Sequence, residues 1–338
     1  MIIVMKRGAS EAAIHAVVAK LESIGSEGHV SHGQVRTVIG ALGDRSAIHQ
    51  VPWEAFEGVE RAVPVLDTFK FVSREFQPED SVIDVRGVPI GSADEFVVVA
   101  GPCAVESREQ LFRTAEAVRA AGARVLRGDA FKPRTSPYSF QGLGEEALQL
   151  LDEARSTFDM PFVAEVLDPR HVELVSSYAD ILRVGTRNMS NYTLLQEVGR
   201  QSKPVQLKRG FTATIQEWLN AAEYIFKEGN HQIIMVERGI RTFENAARNT
   251  LDITAVPLLK HMSHLPVMVD PSHAGGKRHL VAPLARAAAA AGADGILVDV
   301  HPEPDAAKVD GEQALLPEDF DELMRSVSAV AAAVGRST

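Results

Sequence analysis

Three observations predict an α/β chain, a (β/α)8 (TIM) barrel preceded by a small α+β ferredoxin-like domain. Apolar, β-branched runs recur at 96–100, 125–126, 162–163, 181–184, 205–207, 233–236, 267–269 and 296–300. Helical segments such as 109–121, 145–156, 215–227 and 280–291 separate them, and a last amphipathic helix spans roughly 319–334. Residues 1–66 obey a different pattern, with short strands and turn residues in place of the regular alternation. Eight strand–helix units in one stretch fit a closed barrel. A doubly wound open sheet is the competing arrangement. It usually has fewer units, and no Gly-x-Gly-x-x-Gly turn follows the first strand here.

In chain order, residues 2–5 read as a strand and 10–21 as a helix behind the cap Ser10. Segments 28–31 and 35–39 flank the turn residues 32–34 and read as a hairpin. A second helix is predicted to include 53–58, and 62–66 closes the unit as a strand. The order β-α-β-β-α-β is that of a ferredoxin-like domain over 1–66. Residues 67–95 form a connector with two strand-like pieces, 82–85 and 88–90, around Arg86-Gly87, and 96–338 form the barrel.

The 338 residues are 45% hydrophobic and 24% charged, which excludes disorder and low-complexity scaffolds. Lys and Arg number 35 against 45 Asp and Glu, a formal net charge of −10. A surface this acidic argues against nucleic-acid and membrane partners. A single cysteine forbids an intrachain disulfide and points to a reducing compartment. The first residues, Met1-Ile2-Ile3-Val4-Met5-Lys6-Arg7, do not read as a signal peptide, and no apolar run is long enough to span a bilayer. The expectation is a soluble cytoplasmic protein.

Barrel enzymes keep their chemistry at the carboxyl ends of the strands. At those ends stand six cations, Arg127, Lys132, Arg134, Arg187, Lys208 and Arg238. Cations converging on one rim repel each other unless anions sit among them, and guanidinium forks match phosphate and carboxylate. Their number suggests several anionic groups, for example two phosphates and a carboxylate. The plainer alternative pairs these cations with rim carboxylates such as Glu165, Glu237 and Asp299. Cys103, His273, Asp299 and Asp310 come from the first, seventh and eighth strand ends, which meet at the barrel seam. A thiolate, an imidazole and two carboxylates suit a divalent transition ion, Mn, Fe, Co or Zn. Taken singly, a cysteine after a strand reads as a buried small hydrophobe and a histidine as a hydrogen-bonded structural residue. His301 reads as lying just outside this cluster. Ser136 and Ser272 lack a partnered base, so neither reads as a nucleophile.

With these residues in view the sequence strongly resembles the type I 3-deoxy-D-arabino-heptulosonate 7-phosphate (DAHP) synthases, in the subfamily with an amino-terminal ferredoxin-like regulatory domain. The motifs are Gly-Pro-Cys-Ala-Val-Glu-Ser (101–107), Lys-Pro-Arg-Thr-Ser-Pro-Tyr-Ser-Phe-Gln-Gly (132–142) and Arg-Asn-Met (187–189). Leu-Lys-Arg-Gly (207–210), Glu-Arg-Gly-Ile-Arg-Thr-Phe (237–243), Asp-Pro-Ser-His (270–273) and His-Pro-Glu-Pro (301–304) complete them. The Lys-Pro-Arg-Thr-Ser run separates the chain from the sister octulosonate synthases.

The resemblance implies an aldol-like condensation of phosphoenolpyruvate with erythrose 4-phosphate, at the start of the shikimate pathway. It implies a divalent metal, manganese favoured, on Cys103, His273, Asp299 and Asp310, with Cys103, His273 and Lys132 as the catalytic groups. Phosphoenolpyruvate would lie among Arg127, Lys132, Arg187, Lys208 and Arg238, with Ser136 and Glu165 also lining the substrate site. Arg134 and Thr135 would hold the phosphate of erythrose 4-phosphate. It further suggests a homotetramer and an aromatic amino acid effector, with His29 and Ser31 in the hairpin as contacts. An ordinary polar turn is the alternative for those two residues. Three positions depart from the family pattern: Asp299 replaces a usual glutamate, Asp129 a glycine and Arg183 a glutamine. The reading is that Asp129 and Arg183 partly compensate one another. These departures keep two alternatives open, a related synthase acting on a modified aldose phosphate and a ligand-binding paralogue with weak catalysis.

Overall fold

The computed structural model describes residues 1–338 apart from 33–35, 65–67 and 135. The chain divides into two compact units, Met1–Asp80 with His261–His264, and Ser81–Lys260 with Leu265–Thr338. The first reaches well beyond residue 66, taking in part of the expected connector.

In the first unit β1 (Ile2–Met5) leads into α1 (Glu11–Ser23), then β2 (Glu27–His32) and β3 (Thr37–Leu42), α2 (Arg45–His49) and β4 (Val59–Val63). The strands make one sheet in the order β2-β3-β1-β4, with every pair antiparallel. This is the ferredoxin-like arrangement expected from the order of elements. α1 starts where predicted, because the Ser10 side chain accepts from the Ala13 amide. Its Ile14, Val17 and Leu21 pack with Ile3, Met5 and Ile39 into the core of this unit.

Two predictions in this unit need correction. The second helix is α2, eight residues earlier than the 53–58 segment, which holds only a 3-10 turn over Trp53–Ala55. The Asp44 side chain caps α2 by accepting from Ser46 N, while Pro52 precludes a continuous helix. Trp53 is buried in the apolar core of this unit, where its indole N–H is satisfied by the Ile48 carbonyl at 2.8 Å. The closing strand β4 likewise begins at Val59 rather than 62. Of the expected turn residues 32–34, His32 ends β2, and 33 and 34 lie outside the described residues.

The second unit opens with a hairpin of β5 (Ile83–Val85) and β6 (Val88–Ile90). The barrel then runs β7 (Val97–Gly101), α3 (Arg108–Ala120), β8 (Val125–Arg127), α4 (Glu145–Phe158), β9 (Phe162–Val166) and α5 (Val172–Tyr178). It continues with β10 (Ile181–Val184), α6 (Tyr192–Gly199), β11 (Val205–Lys208), α7 (Ile215–Lys227), β12 (Ile233–Glu237) and α8 (Ala255–Met262). β13 (Val267–Val269), the short α9 (Pro271–Gly275), α10 (Arg278–Ala290), β14 (Gly295–Asp299) and α11 (Pro317–Ala333) complete it. β7 to β14 close into a parallel barrel, with β14 pairing back onto β7. Both faces of these strands are covered, which is why they read as unbroken apolar runs. Ile83, Val85, Val88 and Ile90 of the hairpin share one apolar cluster with barrel residues such as Val97, Val125 and Leu297.

Backbone chemistry sets where the strand ends point. At Gly101 φ is +153°, and a Cβ there would lie 2.2 Å from the Arg127 carbonyl. Only glycine lets β7 and β8 approach this closely, and the approach brings the Cys103 and Lys132 loops together.

Candidate active site

A cavity of about 280 Å³ lies at the carboxyl ends of the strands. Lys132, Arg134, Ser136, Glu165, Arg187, Lys208, Arg238, His273 and Asp310 line it, all of them residues singled out in the sequence. Arg127 does not. It is fully buried, and its Nε, Nη1 and Nη2 have no hydrogen-bond partner among the described residues. A guanidinium so placed carries unsatisfied donors that an anion could take up. Thr135 lies outside the described residues.

The cations are only partly uncompensated. Arg127 forms a close ion pair with Asp299, though without hydrogen-bond alignment, and stands 3.6 Å from Asp129. Lys132 Nζ donates to Asp129 Oδ2 at 2.7 Å, and Lys208 Nζ to Asp270 Oδ2 at 2.5 Å. Of the three carboxylates first expected as partners, only Asp299 pairs with one of the six cations. Glu237 is taken by Arg209, which also holds Asp252, and Glu165 makes no ion pair among the described residues. Burial pushes the Lys208 ammonium down, with Asp270 opposing it. Burial likewise lowers Arg238, again against Asp270, to about 10, which leaves it cationic near neutrality.

Arg187, Arg238 and Arg241 all lean on the Phe211 ring, their guanidinium carbons 5.8, 4.9 and 4.5 Å from its centroid. Three cations on one ring, with no carboxylate in ion-pair range among the described residues, leave the cavity wall strongly positive.

The second cluster abuts the first. Cys103, His273, Asp299 and Asp310 each offer a ligand atom, and these atoms all lie within 4.8 Å of one another. Cys103 Sγ lies 3.2 Å from Asp310 Oδ2 and 3.8 Å from His273 Nε2, and His273 Nε2 lies 3.5 Å from Asp310 Oδ2. Ligand atoms each about 2.0–2.3 Å from one ion would show separations of this size. The mixed sulfur, nitrogen and oxygen donor set therefore fits a divalent transition ion.

Local structure fixes each member. Asp270 ends β13 and caps α9 by accepting from the His273 amide, and its Oδ1 also lies 3.1 Å from His273 Nδ1. That contact turns Nε2 toward Cys103 and Asp310, as a metal-binding imidazole requires. Burial alone would lower the His273 imidazole, but Asp270 and Asp299 outweigh it and carry it up to about 10. Asp310 sits at φ 53°, a left-handed backbone costing about 1–3 kcal/mol and typical of functional positions. Asp299 shows 0% exposure; its amide donates to Ser272 Oγ and its Oδ2 accepts from Gln313 Nε2 at 2.6 Å. Gln313 Oε1 in turn accepts from Arg248, which also donates to Asp310.

Sequence reasoning missed Arg248, Gln313 and Phe211, and gave Asp270 no role beyond its motif. The Asp-Pro-Ser-His spacing could have revealed Asp270 as a cap facing its own histidine. The other three act through loops that meet only in the folded barrel. The proposed pairing of Asp129 with Arg183 is present as a close, fully buried contact.

His29 and Ser31 stand on β2 in the other unit. The His29 ring lies 4.7 Å from that of Phe71, and its Nε2 is 3.5 Å from Glu27.

The profile of the DAHP synthetase I family matches residues 73–334, and that of the DAHP synthase ferredoxin-like domain matches 1–67. A phospho-2-dehydro-3-deoxyheptonate aldolase of Thermotoga maritima is 52% identical over 335 residues, covering 99% of both chains. A 2-dehydro-3-deoxyphosphooctonate aldolase of Syntrophobacter fumaroxidans is 32% identical over 262 residues, 72% of this chain and 90% of the other. The crystal structure of the Thermotoga maritima DAHP synthase superposes with a TM-score of 0.79 at 52% identity, covering 99% of this chain and 98% of that one. A truncated form of the same enzyme gives 0.74 at 51% identity, covering 79% and 98%.

Proposed function

The chain belongs to the DAHP synthetase I family, and from that premise we propose a metal-dependent condensation of phosphoenolpyruvate with erythrose 4-phosphate and water. The products are DAHP and phosphate, and the step is the first of the shikimate pathway. One observation carries the reading. Lys132 Nζ and Asp310 Oδ2 both lie 3.2 Å from Cys103 Sγ, so the cation pocket and the donor quartet share a wall. An anionic substrate and a divalent ion would therefore meet at adjacent positions.

Cys103, His273, Asp299 and Asp310 would hold the ion, manganese being favoured; when bound, it polarises the aldehyde oxygen as a Lewis acid. Lys132, Arg187, Lys208 and Arg238 bind the carboxylate and phosphate of phosphoenolpyruvate, and the unsatisfied Arg127 supports them from beneath. Arg134, Thr135 and Ser136 receive the phosphate of the aldose, and Glu165 borders the same space. C3 of phosphoenolpyruvate forms a bond to the aldehyde carbon, water adds at C2, and phosphate leaves with its bridging oxygen. The chain's part is to fix the two reactants and to balance their charge. Lys132 remains protonated throughout: burial lowers it, but Asp129 and Cys103 outweigh burial and hold it above its ordinary value.

The ferredoxin-like domain is regulatory in this reading, with an aromatic amino acid bound near His29 and Ser31, in a homotetramer. Among the described residues no helix is long and apolar enough to cross a membrane.

The test is phosphoenolpyruvate consumption with erythrose 4-phosphate, after chelation and after manganese is restored. Activity lost and recovered is the expected result. Metal uptake without turnover would overturn the acceptor assignment in favour of another aldose phosphate. Inhibition by aromatic amino acids that survives removal of residues 1–65 would overturn the regulatory assignment.

A further inference from the structure

Lys132 is held in an unusual way for a residue that must receive a substrate anion. An ammonium has three protons to donate. All three are engaged: Nζ reaches Asp129 Oδ2 at 2.7 Å, the Cys103 carbonyl at 3.0 Å and Cys103 Sγ at 3.2 Å.

Asp129 is equally well held. It is 1% exposed and follows β8 by two residues. Its Oδ1 accepts from the Glu165 amide at 3.2 Å and from Arg183 Nη2, while its Oδ2 takes Lys132 and lies 3.6 Å from Arg127. Arg183 comes from β10, is 0% exposed, and has no other hydrogen-bond partner for Nε or Nη1 among the described residues. A lone buried carboxylate would cost far more than it returned. Asp129 and Arg183 enter as one charge of each sign, so the floor of the site keeps its net charge. What changes is where the negative charge stands: directly against Lys132, with Arg183 on the opposite oxygen.

From this arrangement we infer that Asp129 is a resident anion buried beneath the substrate pocket, anchored by Arg183, that weakens the grip of Lys132 and Arg127 on phosphorylated substrates. The inference rests on the reading of these cations as an anion-binding pocket. Phosphoenolpyruvate then binds to a cation already neutralised in part, and phosphate leaves it more readily. Asp129 thereby acts as a specificity-determining and positioning residue. It raises KM and favours release, and it makes no bond to the reacting atoms.

The variant Asp129→Asn/Arg183→Gln removes both charges and keeps similar shapes and hydrogen-bonding atoms. In the metal-loaded protein, calorimetric titration with inorganic phosphate should show affinity rising more than about twofold, the remainder left when the carboxylate against Lys132 is withdrawn together with the guanidinium on its far oxygen. KM for phosphoenolpyruvate should fall by a similar factor, and kcat should fall or stay level. The single variant Asp129→Asn should bind phosphate more tightly still, because Arg183 then remains unopposed. A double variant that folds and binds phosphate within twofold of the parent overturns the inference, since a purely structural pair would shift only the melting temperature. Phosphate binding needs no turnover, so an absence of condensation in the parent protein would break the proposed function and leave this readout intact.

Discussion

The two ends of the barrel treat buried charge in opposite ways. At the amino ends of the strands, Asp294 Oδ1 accepts from Lys260 at 2.7 Å and Arg336 at 3.2 Å, while Oδ2 accepts from the Val267 amide at 2.7 Å. Asp180 repeats the pattern with Arg86, Arg155 and the Phe162 amide. Each carboxylate ties the start of one strand to its neighbour and leaves no oxygen unpaired. At the carboxyl ends, among the described residues, the Arg127 guanidinium has no aligned hydrogen bond even in its close ion pair with Asp299 Oδ1, and Arg183 leaves Nε and Nη1 without a partner. Charge at the first end is used up in holding strands together. At the second end part of it lacks an aligned partner among the described residues, which costs stability and is the pattern of a functional site.

The largest expected effect falls at that second end. Cys103→Ala removes the sulfur from the donor quartet, and metal-dependent turnover should fall about a thousandfold or more, the scale of a lost Lewis acid. The melting temperature should drop by no more than about 4 °C, since little packing is removed. A large loss of stability with metal content unchanged would make Cys103 a core residue and erase the contrast.

Asp294→Ala tests the other end with the reverse signature. It removes the carboxylate shared by Lys260, Arg336 and the Val267 amide. Those cations are 21% and 14% exposed and so retain some water, which places the cost near about 3 kcal/mol, low in the range for a broken buried pair. Urea unfolding should register that loss, while kcat/KM of the folded protein stays within about twofold, the limit expected when no substrate contact is touched.

Gln313→Leu is smaller and acts at the carboxyl end alone. Gln313 is 1% exposed and holds Asp299 on one side and Arg248 on the other. Metal affinity should fall about 10- to 100-fold, as for other partners of metal-binding side chains. Unchanged affinity measured by metal-competition titration would mean that Asp299 is positioned by Arg127 and Ser272 alone.

Much of this contrast was legible before the fold was in hand. Unbroken apolar runs announce parallel strands, and a barrel then dictates that residues just past each run converge; that is why the cation set and the donor quartet could be named from the sequence. The Asp129–Arg183 pair was readable for the same reason, since they lie at the ends of the second and fourth barrel strands, and alternate strands share a layer. What resisted reading depends on distances between loops. Gln313 and Arg248 meet only because the loop before α11 closes over the one before α8, and no periodicity encodes that. In the small domain the second helix lies over Arg45–His49 behind the cap Asp44, and the apolar segment from Trp53 packs into the core through a short 3-10 turn, which an apolar pattern alone does not distinguish from a helix.

The smallest effect concerns the arginines on Phe211. Like charges grouped on a cavity wall repel, and without an anion each side chain gains freedom by swinging into water. The Phe211 ring counters this by attracting the guanidinium groups to its face, while the Phe211 backbone carbonyl accepts from the Arg241 amide at 2.8 Å and ties the two loops together. Phe211→Leu keeps the backbone contact and most of the apolar volume but loses the aromatic face. Each cation–ring contact at a partly exposed site contributes about 0.5–1 kcal/mol, so KM for phosphoenolpyruvate should rise about three- to fivefold with kcat level. Arg241→Ala, which unlike Arg187 and Arg238 does not line the cavity, should give less. A fall in kcat without a change in KM would mean that Phe211 shapes the reacting geometry, and the wall would then be more than a reservoir of positive charge.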